Sequence, residues 1–92
     1  MSMKNDDNVV YIGNKPTMSY VSAIVLQFTS GRREVSLKAR GKAISKAVDV
    51  AEIVRNKFLQ DLKVKNTIIG TQEIDDGGEK ISVSSIEIIL VK

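Results

Sequence analysis

The residues best placed to do chemistry in this chain are cations. Between Arg32 and Lys46 the sequence carries Arg32, Arg33, Lys38, Arg40, Lys42 and Lys46 against Glu34 alone, six positive charges minus one, or +5. The whole chain has a formal net charge of only +3. The densest part, Lys38-Ala39-Arg40-Gly41-Lys42, falls where a strand pattern gives way to a helix pattern. A helix N-terminus offers unpaired N–H groups and favours anions, so each cation there is disfavoured by roughly a few tenths of a kcal/mol. Phosphate binding best explains three fixed cations placed there with no acidic cap residue. A plain solvated basic surface is the competing reading, because basic runs are common. Lys15, in the Gly13-Asn14-Lys15-Pro16 turn, precedes another helix. Placed at the same end of the sheet, it would extend a single cationic ridge.

Other chemistries are poorly supplied. With no His and no Cys, the chain lacks imidazole acid–base catalysis, thiol nucleophiles, disulfides and the usual zinc ligands. Glu73, Asp75, Asp76 and Glu79 gather against Lys80 alone, but Asp-Asp-Gly-Gly is ordinary turn chemistry. No glycine-rich phosphate loop is present, and no metal or cofactor is expected. The aromatic residues Tyr11, Tyr20, Phe28 and Phe58 are scattered, which favours reading a nucleic-acid backbone over stacking on bases. The longest uncharged stretch, Pro16 to Gly31, is too short and too polar to span a bilayer, so no membrane partner is expected. Met1 to Asn8 is polar and reads as a flexible tail without a secretion signal, which leaves an intracellular protein as the expectation.

The elements that must position these cations emerge from periodicity. A chain of 92 residues supports one domain, here residues 9–92, and a fold of this mass buries roughly 64% of its unfolded surface. Val9 to Ile12 reads as a strand closed by Gly13-Asn14. Pro16 suits a first helical turn, and Met18, Val21, Val25 and Phe28 recur at helical spacing. Tyr20, Ala23, Ile24 and Leu26 fill most of the remaining wheel, which predicts a helix buried nearly all round. Arg33 to Ala39 alternates as a half-exposed strand. From Gly41 to about Leu62 a regular 100° wheel gathers Ala43, Ile44, Ala47, Val48, Val50, Ala51, Val54, Phe58 and Leu59 on one arc. Ile53 and Arg55 break that pattern, so the helix is expected to touch something besides its own core. Val64 to Glu73 and Ile81 to Val91 read as long strands joined across Asp75-Asp76-Gly77-Gly78. The predicted fold is α+β, a β-α-β-α-β-β domain with two helices on one face of a mixed four-stranded sheet.

These segments resemble the Alba family of archaeal chromatin proteins. The resemblance is carried by Val10-Tyr11-Ile12-Gly13-Asn14-Lys15-Pro16 with Met18-Ser19-Tyr20-Val21, and by Lys38-Ala39-Arg40-Gly41-Lys42-Ala43-Ile44-Ser45-Lys46-Ala47-Val48-Asp49. Glu52-Ile53-Val54-Arg55-Asn56-Lys57-Phe58 and Val83-Ser84-Ser85-Ile86-Glu87-Ile88 complete it. It spans nearly the whole chain and implies a fold similar to the C-terminal domain of translation initiation factor 3. It also implies a homodimer that binds double-stranded DNA, and RNA, with little sequence preference, its two hairpins acting as arms along the minor groove. The matching surface positions are Lys15, Lys38, Arg40 and Lys42, with Asn14 and Lys46 beside them. Asn14 stands where relatives have the first lysine of the turn, and the hairpin tip is acidic where relatives are often basic. The family's matching phenylalanine packs between neighbouring dimers, which gives Phe58 that role with Arg55, Asn56 and Lys57 around it. Core packing is the other reading of Phe58.

The expected function is thus sequence-independent binding and coating of double-stranded DNA by a non-enzymatic, chromosome-associated cytoplasmic dimer. Mainly RNA binding is the alternative. A small nuclease would need a carboxylate cluster beside the basic ridge, and none is expected there. A protein scaffold would pair Arg40 and Lys42 with an acidic partner.

Overall fold

The computed structural model describes residues 8–92, so most of the tail expected over residues 1–8 lies outside the described residues. The elements are strand β1 (Val9–Tyr11), helix α1 (Thr17–Thr29), strand β2 (Glu34–Arg40), helix α2 (Ile44–Ile53), and strands β3 (Lys63–Asp76) and β4 (Glu79–Val91). A 3-10 turn at Gly41–Ala43 leads into α2, and a π-helical turn at Val54–Phe58 leads out of it. The strands form one sheet in the order β1-β2-β4-β3. β1 runs parallel to β2, and the other pairs are antiparallel, so the sheet is mixed as its connections require.

Alternation along the strands sorts their side chains. Val35, Leu37 and Ala39 of β2 stand beside Leu90, Ile88 and Ile86 of β4, and this face meets the helices. Val21, Ile24 and Phe28 of α1 and Ala47, Val50 and Val54 of the second helical segment close over it. Phe28, Ile24, Leu37, Leu90, Val21, Val35, Val50 and Val54 are all fully buried. Burying a side chain of this kind contributes about 1.5–3 kcal/mol.

Three expectations need correction. α1 is not buried all round: Met18, Ser19, Ser22, Ala23 and Leu26 are exposed, Leu26 at 67% of its surface. The fold has two layers, so the sheet and α2 can cover only one side of α1, whatever the polarity of the other. Nor is the helix after Gly41 one regular wheel. It starts as a 3-10 turn and ends with the Leu59 N–H bonded at 2.8 Å to the Val54 carbonyl, five residues back. That wider turn rotates the succeeding residues out of the 100° progression, and Phe58, placed near the middle of the apolar arc, emerges 49% exposed. β2 is also more buried than alternation predicts, because it is an inner strand. Ser36, on its polar side, is buried too.

The last two strands outrun the core. Pairing between β2 and β4 stops at Arg40 and Ser85, while β3 and β4 remain paired out to Asp76 and Glu79. Beyond Gly70 the hairpin is a two-stranded ribbon. Gly77 and Gly78 close it with φ of 62° and 89°, the positive pair that a tight two-residue hairpin turn demands.

Candidate nucleic-acid interface

The cations gather where β1 and β2 end. Lys38 lies in register between Tyr11 of β1 and Glu87 of β4 on the sheet face opposite the helices. Arg40 comes two residues later on the same face, paired in register with Ser85. Gly41 then takes φ 59°, which turns the chain sharply into the 3-10 segment and presents Lys42 beside Arg40. The N-terminus of α2 has neither a side-chain cap nor an acidic residue in its first turn.

Asn14, Lys38, Arg40 and Lys42 line one groove of about 800 Å³, together with Tyr11, Gln72 and Glu87 among others. Arg40 is held across it, its Nη1 donating to Gln72 Oε1 of β3 at 3.2 Å. The root of the ribbon thereby becomes a wall of the basic groove. Lys15 is exposed one residue before Pro16, which sits at the N-cap of α1 rather than inside it. Lys46 differs from the others: its Nζ donates to the carbonyls of Gly13 and Lys15, at 3.0 and 2.8 Å. Lys46 thus joins the Lys38–Lys42 region to the Lys15 turn.

The second expected group sits elsewhere. Asn56 and Lys57 line a shallow cleft of about 430 Å³ with Thr17, Met18, Asp49, Glu52 and Ile53. Phe58 comes next, at the end of the π turn. Arg55 is engaged internally, its Nη1 on Glu52 Oε2 at 2.6 Å and its Nε donating to the Leu62 carbonyl at 3.4 Å. Those bonds explain why a charged residue falls on the apolar arc of this helix: it ties the helix to the chain that leads into β3.

Sequence reasoning missed three residues. Gln72 carries no signal, being one polar residue in an exposed strand. Tyr11, in a three-residue strand, is 63% exposed on the open face beside Lys38. Tyr20 reads as a core residue and is one, yet its hydroxyl accepts the N–H groups of Gly13 and Lys15 at 2.9 and 3.0 Å. Among the described residues no group of three acidic side chains gathers as a cation site, and no helix is long and apolar enough to cross a membrane.

A two-layer α+β domain whose strand ends and adjoining loop gather Lys38, Arg40 and Lys42 against Glu87 in one groove defines the class: a small domain with a net cationic groove. The chain belongs to the Alba family, whose model matches residues 8–72. It is 58% identical over 86 residues to DNA/RNA-binding protein Alba 1 of Archaeoglobus fulgidus, covering 94% of this chain and 97% of that protein. It is 56% identical over 86 residues to DNA/RNA-binding protein Alba of Methanocella arvoryzae, covering 92% and 90%. Among solved structures, Alba from Thermoplasma volcanium superposes with a TM-score of 0.90 at 47% identity, covering 92% of this chain and all of that one.

Proposed function

We propose that this protein binds nucleic acid through the phosphate backbone without sequence preference, and that as a homodimer it coats double-stranded DNA on the chromosome in the cytoplasm. One observation carries the reading: Lys38, Arg40 and Lys42 share one groove with Asn14, with no acidic cap at the helix end they surround. Relatives named as DNA/RNA-binding proteins at more than half identity support it. Lys15, Lys38, Arg40 and Lys42 contact phosphates and Asn14 adds a neutral donor. The acidic hairpin tip keeps away from the backbone, so the ribbon works along the minor groove through the stretch nearer the core.

Dimerisation is argued from the surface of the β3–β4 hairpin. Val64 and Ile69 are exposed on one of its faces and Ile68 and Ile81 on the other, Ile69 at 78%, and a second copy is the partner that covers apolar surface of this extent. Phe58, half-exposed beside Asn56 and Lys57, then serves contacts between neighbouring dimers on DNA. Three or four phosphate contacts per subunit give about six to eight per dimer, so log affinity falls against log salt with a slope of roughly −5 to −7. Duplex titrations across salt concentrations test this, and a flat slope rejects it. Sedimentation that finds only single subunits rejects the dimer.

A second reading, RNA with unpaired segments, is favoured by Tyr11. Its exposed ring beside Lys38 offers a face on which one unstacked base can rest while the cation holds the phosphate. Tyr11→Ala should then weaken single-stranded RNA binding about tenfold and leave duplex DNA binding within about twofold. Cross-linking and sequencing of the nucleic acid bound in cells decides between the two targets.

A further inference from the structure

Lys46 is the cation whose position makes least sense from sequence. It lies in the first turn of α2, where positive charge opposes the helix dipole, and no acidic side chain among the described residues forms an ion pair with it. Its ammonium instead reaches back to a turn more than thirty residues earlier and donates to the carbonyls of Gly13 and Lys15. It also stands 5.9 Å from the centre of the Tyr20 ring, within cation–π range. Tyr20 engages the opposite polarity of the same two residues, its hydroxyl accepting both of their N–H groups. All four backbone polar groups on either side of Asn14 are therefore held by two side chains, one from each helix. No backbone–backbone hydrogen bond closes that turn among the described residues.

We propose that Lys46 and Tyr20 form a clamp that pre-organises the Gly13–Lys15 turn, so that Lys46 acts as a positioning residue for Lys15 and not as a phosphate ligand. The inference rests on the nucleic-acid reading above. Two of the three ammonium protons of Lys46 are already on carbonyl oxygens, so moving it to a phosphate would release the turn that presents Lys15. An unclamped turn would have to be ordered when the ligand arrives, and that lost freedom subtracts from affinity. The clamp places the ordering cost in folding, where packing of Tyr20 against the core covers it. It also accounts for a cation in the first turn of α2 without requiring an external anion there.

A double-mutant cycle tests the clamp on the intact protein, with a 20-bp duplex as probe. Lys15→Met and Lys46→Met should each weaken binding by about three- to tenfold, and the double variant should be within about twofold of either one. Lys46→Arg, which has enough donors for both carbonyls, should restore most of the loss. Lys46→Met combined with Lys42→Met should instead multiply, because Lys42 does not depend on the turn. If Lys15→Met and Lys46→Met multiply, with the salt slope falling by a further ~0.9 for each phosphate no longer neutralised, Lys46 is a direct ligand and the proposal is wrong. Should Lys46→Met fail to fold by circular dichroism, Tyr20→Phe takes its place in the same cycle. Amide hydrogen exchange gives a readout free of any ligand: Gly13 and Lys15 should exchange faster in Tyr20→Phe, and unchanged rates overturn the clamp. A wild-type protein that ignores duplex, with those exchange rates still raised, would sink the nucleic-acid reading and leave the clamp standing.

Discussion

The two ends of the sheet are built from similar residues and behave differently. At the covered end, valine, isoleucine and leucine of β2 and β4 lie under two helices, and Val35, Leu37 and Leu90 have no accessible surface. At the free end, Ile81 of β4 stands 40% exposed opposite Ile74 of β3, outside the core. Strand propensity made both regions strands, but only contact with a second layer made one of them a core. An isolated two-stranded ribbon is marginal in water, so the free end depends on its root and on whatever covers it.

That contrast can be broken most forcefully from the covered side. Leu37→Ala removes a fully buried side chain and should cost about 2–5 kcal/mol, read as a lower denaturant midpoint. Ile81→Ser, on the ribbon, should change the stability of the single subunit by less than about 1 kcal/mol and should show its effect in dimer dissociation. Equal losses would mean that the ribbon belongs to the subunit core. Next in size, Arg40→Ala with Lys42→Ala should weaken duplex binding by about ten- to hundredfold at 0.15 M salt, uniformly across sequences, and make the salt slope shallower by roughly 3 to 4 per dimer. A change of sequence preference would contradict backbone recognition. Gly78→Val, at φ 89°, should cost about 1–2 kcal/mol of local stability, seen as faster amide exchange in the ribbon with the core amides unchanged. Smallest of all, Phe58→Ala should shift subunit stability by about 1 kcal/mol or less while reducing cooperative binding on long duplexes. A loss of several kcal/mol would return Phe58 to the core.

Much of this architecture is legible in the sequence because the signals are local. Hydrophobic period separates strands from helices, Gly77-Gly78 marks a hairpin, and the Lys38–Lys42 run sits at a strand-to-helix junction that any fold with this element order brings to one end of the sheet. The site is legible to the same extent. Lys38, Arg40 and Lys42 are neighbours in sequence and stay neighbours in space. Asn14 joins them because β1 pairs in parallel with β2. Phe58 defeats the periodicity for a physical reason: a 100° wheel holds for an α-helix, and one wider turn after Ile53 is enough to move an aromatic ring from the apolar arc to the surface. The exposure of α1 escapes for another, since composition cannot count the layers available to cover it.

The amino-acid sequence alone determined the order of elements, the absence of imidazole and thiol chemistry, and the concentration of positive charge at one junction, because each depends on residues close together in the chain. Only the tertiary structure decided what each charge does. Arg40 meets Gln72, Arg55 meets Glu52 and the Leu62 carbonyl, and Lys46 meets the carbonyls of Gly13 and Lys15. For Arg40 and Lys46 the partners are more than thirty residues away. A lysine on a helix and a lysine clamping a distant turn look identical in sequence, since a long flexible side chain takes its role from whichever acceptors the fold brings within about 3 Å.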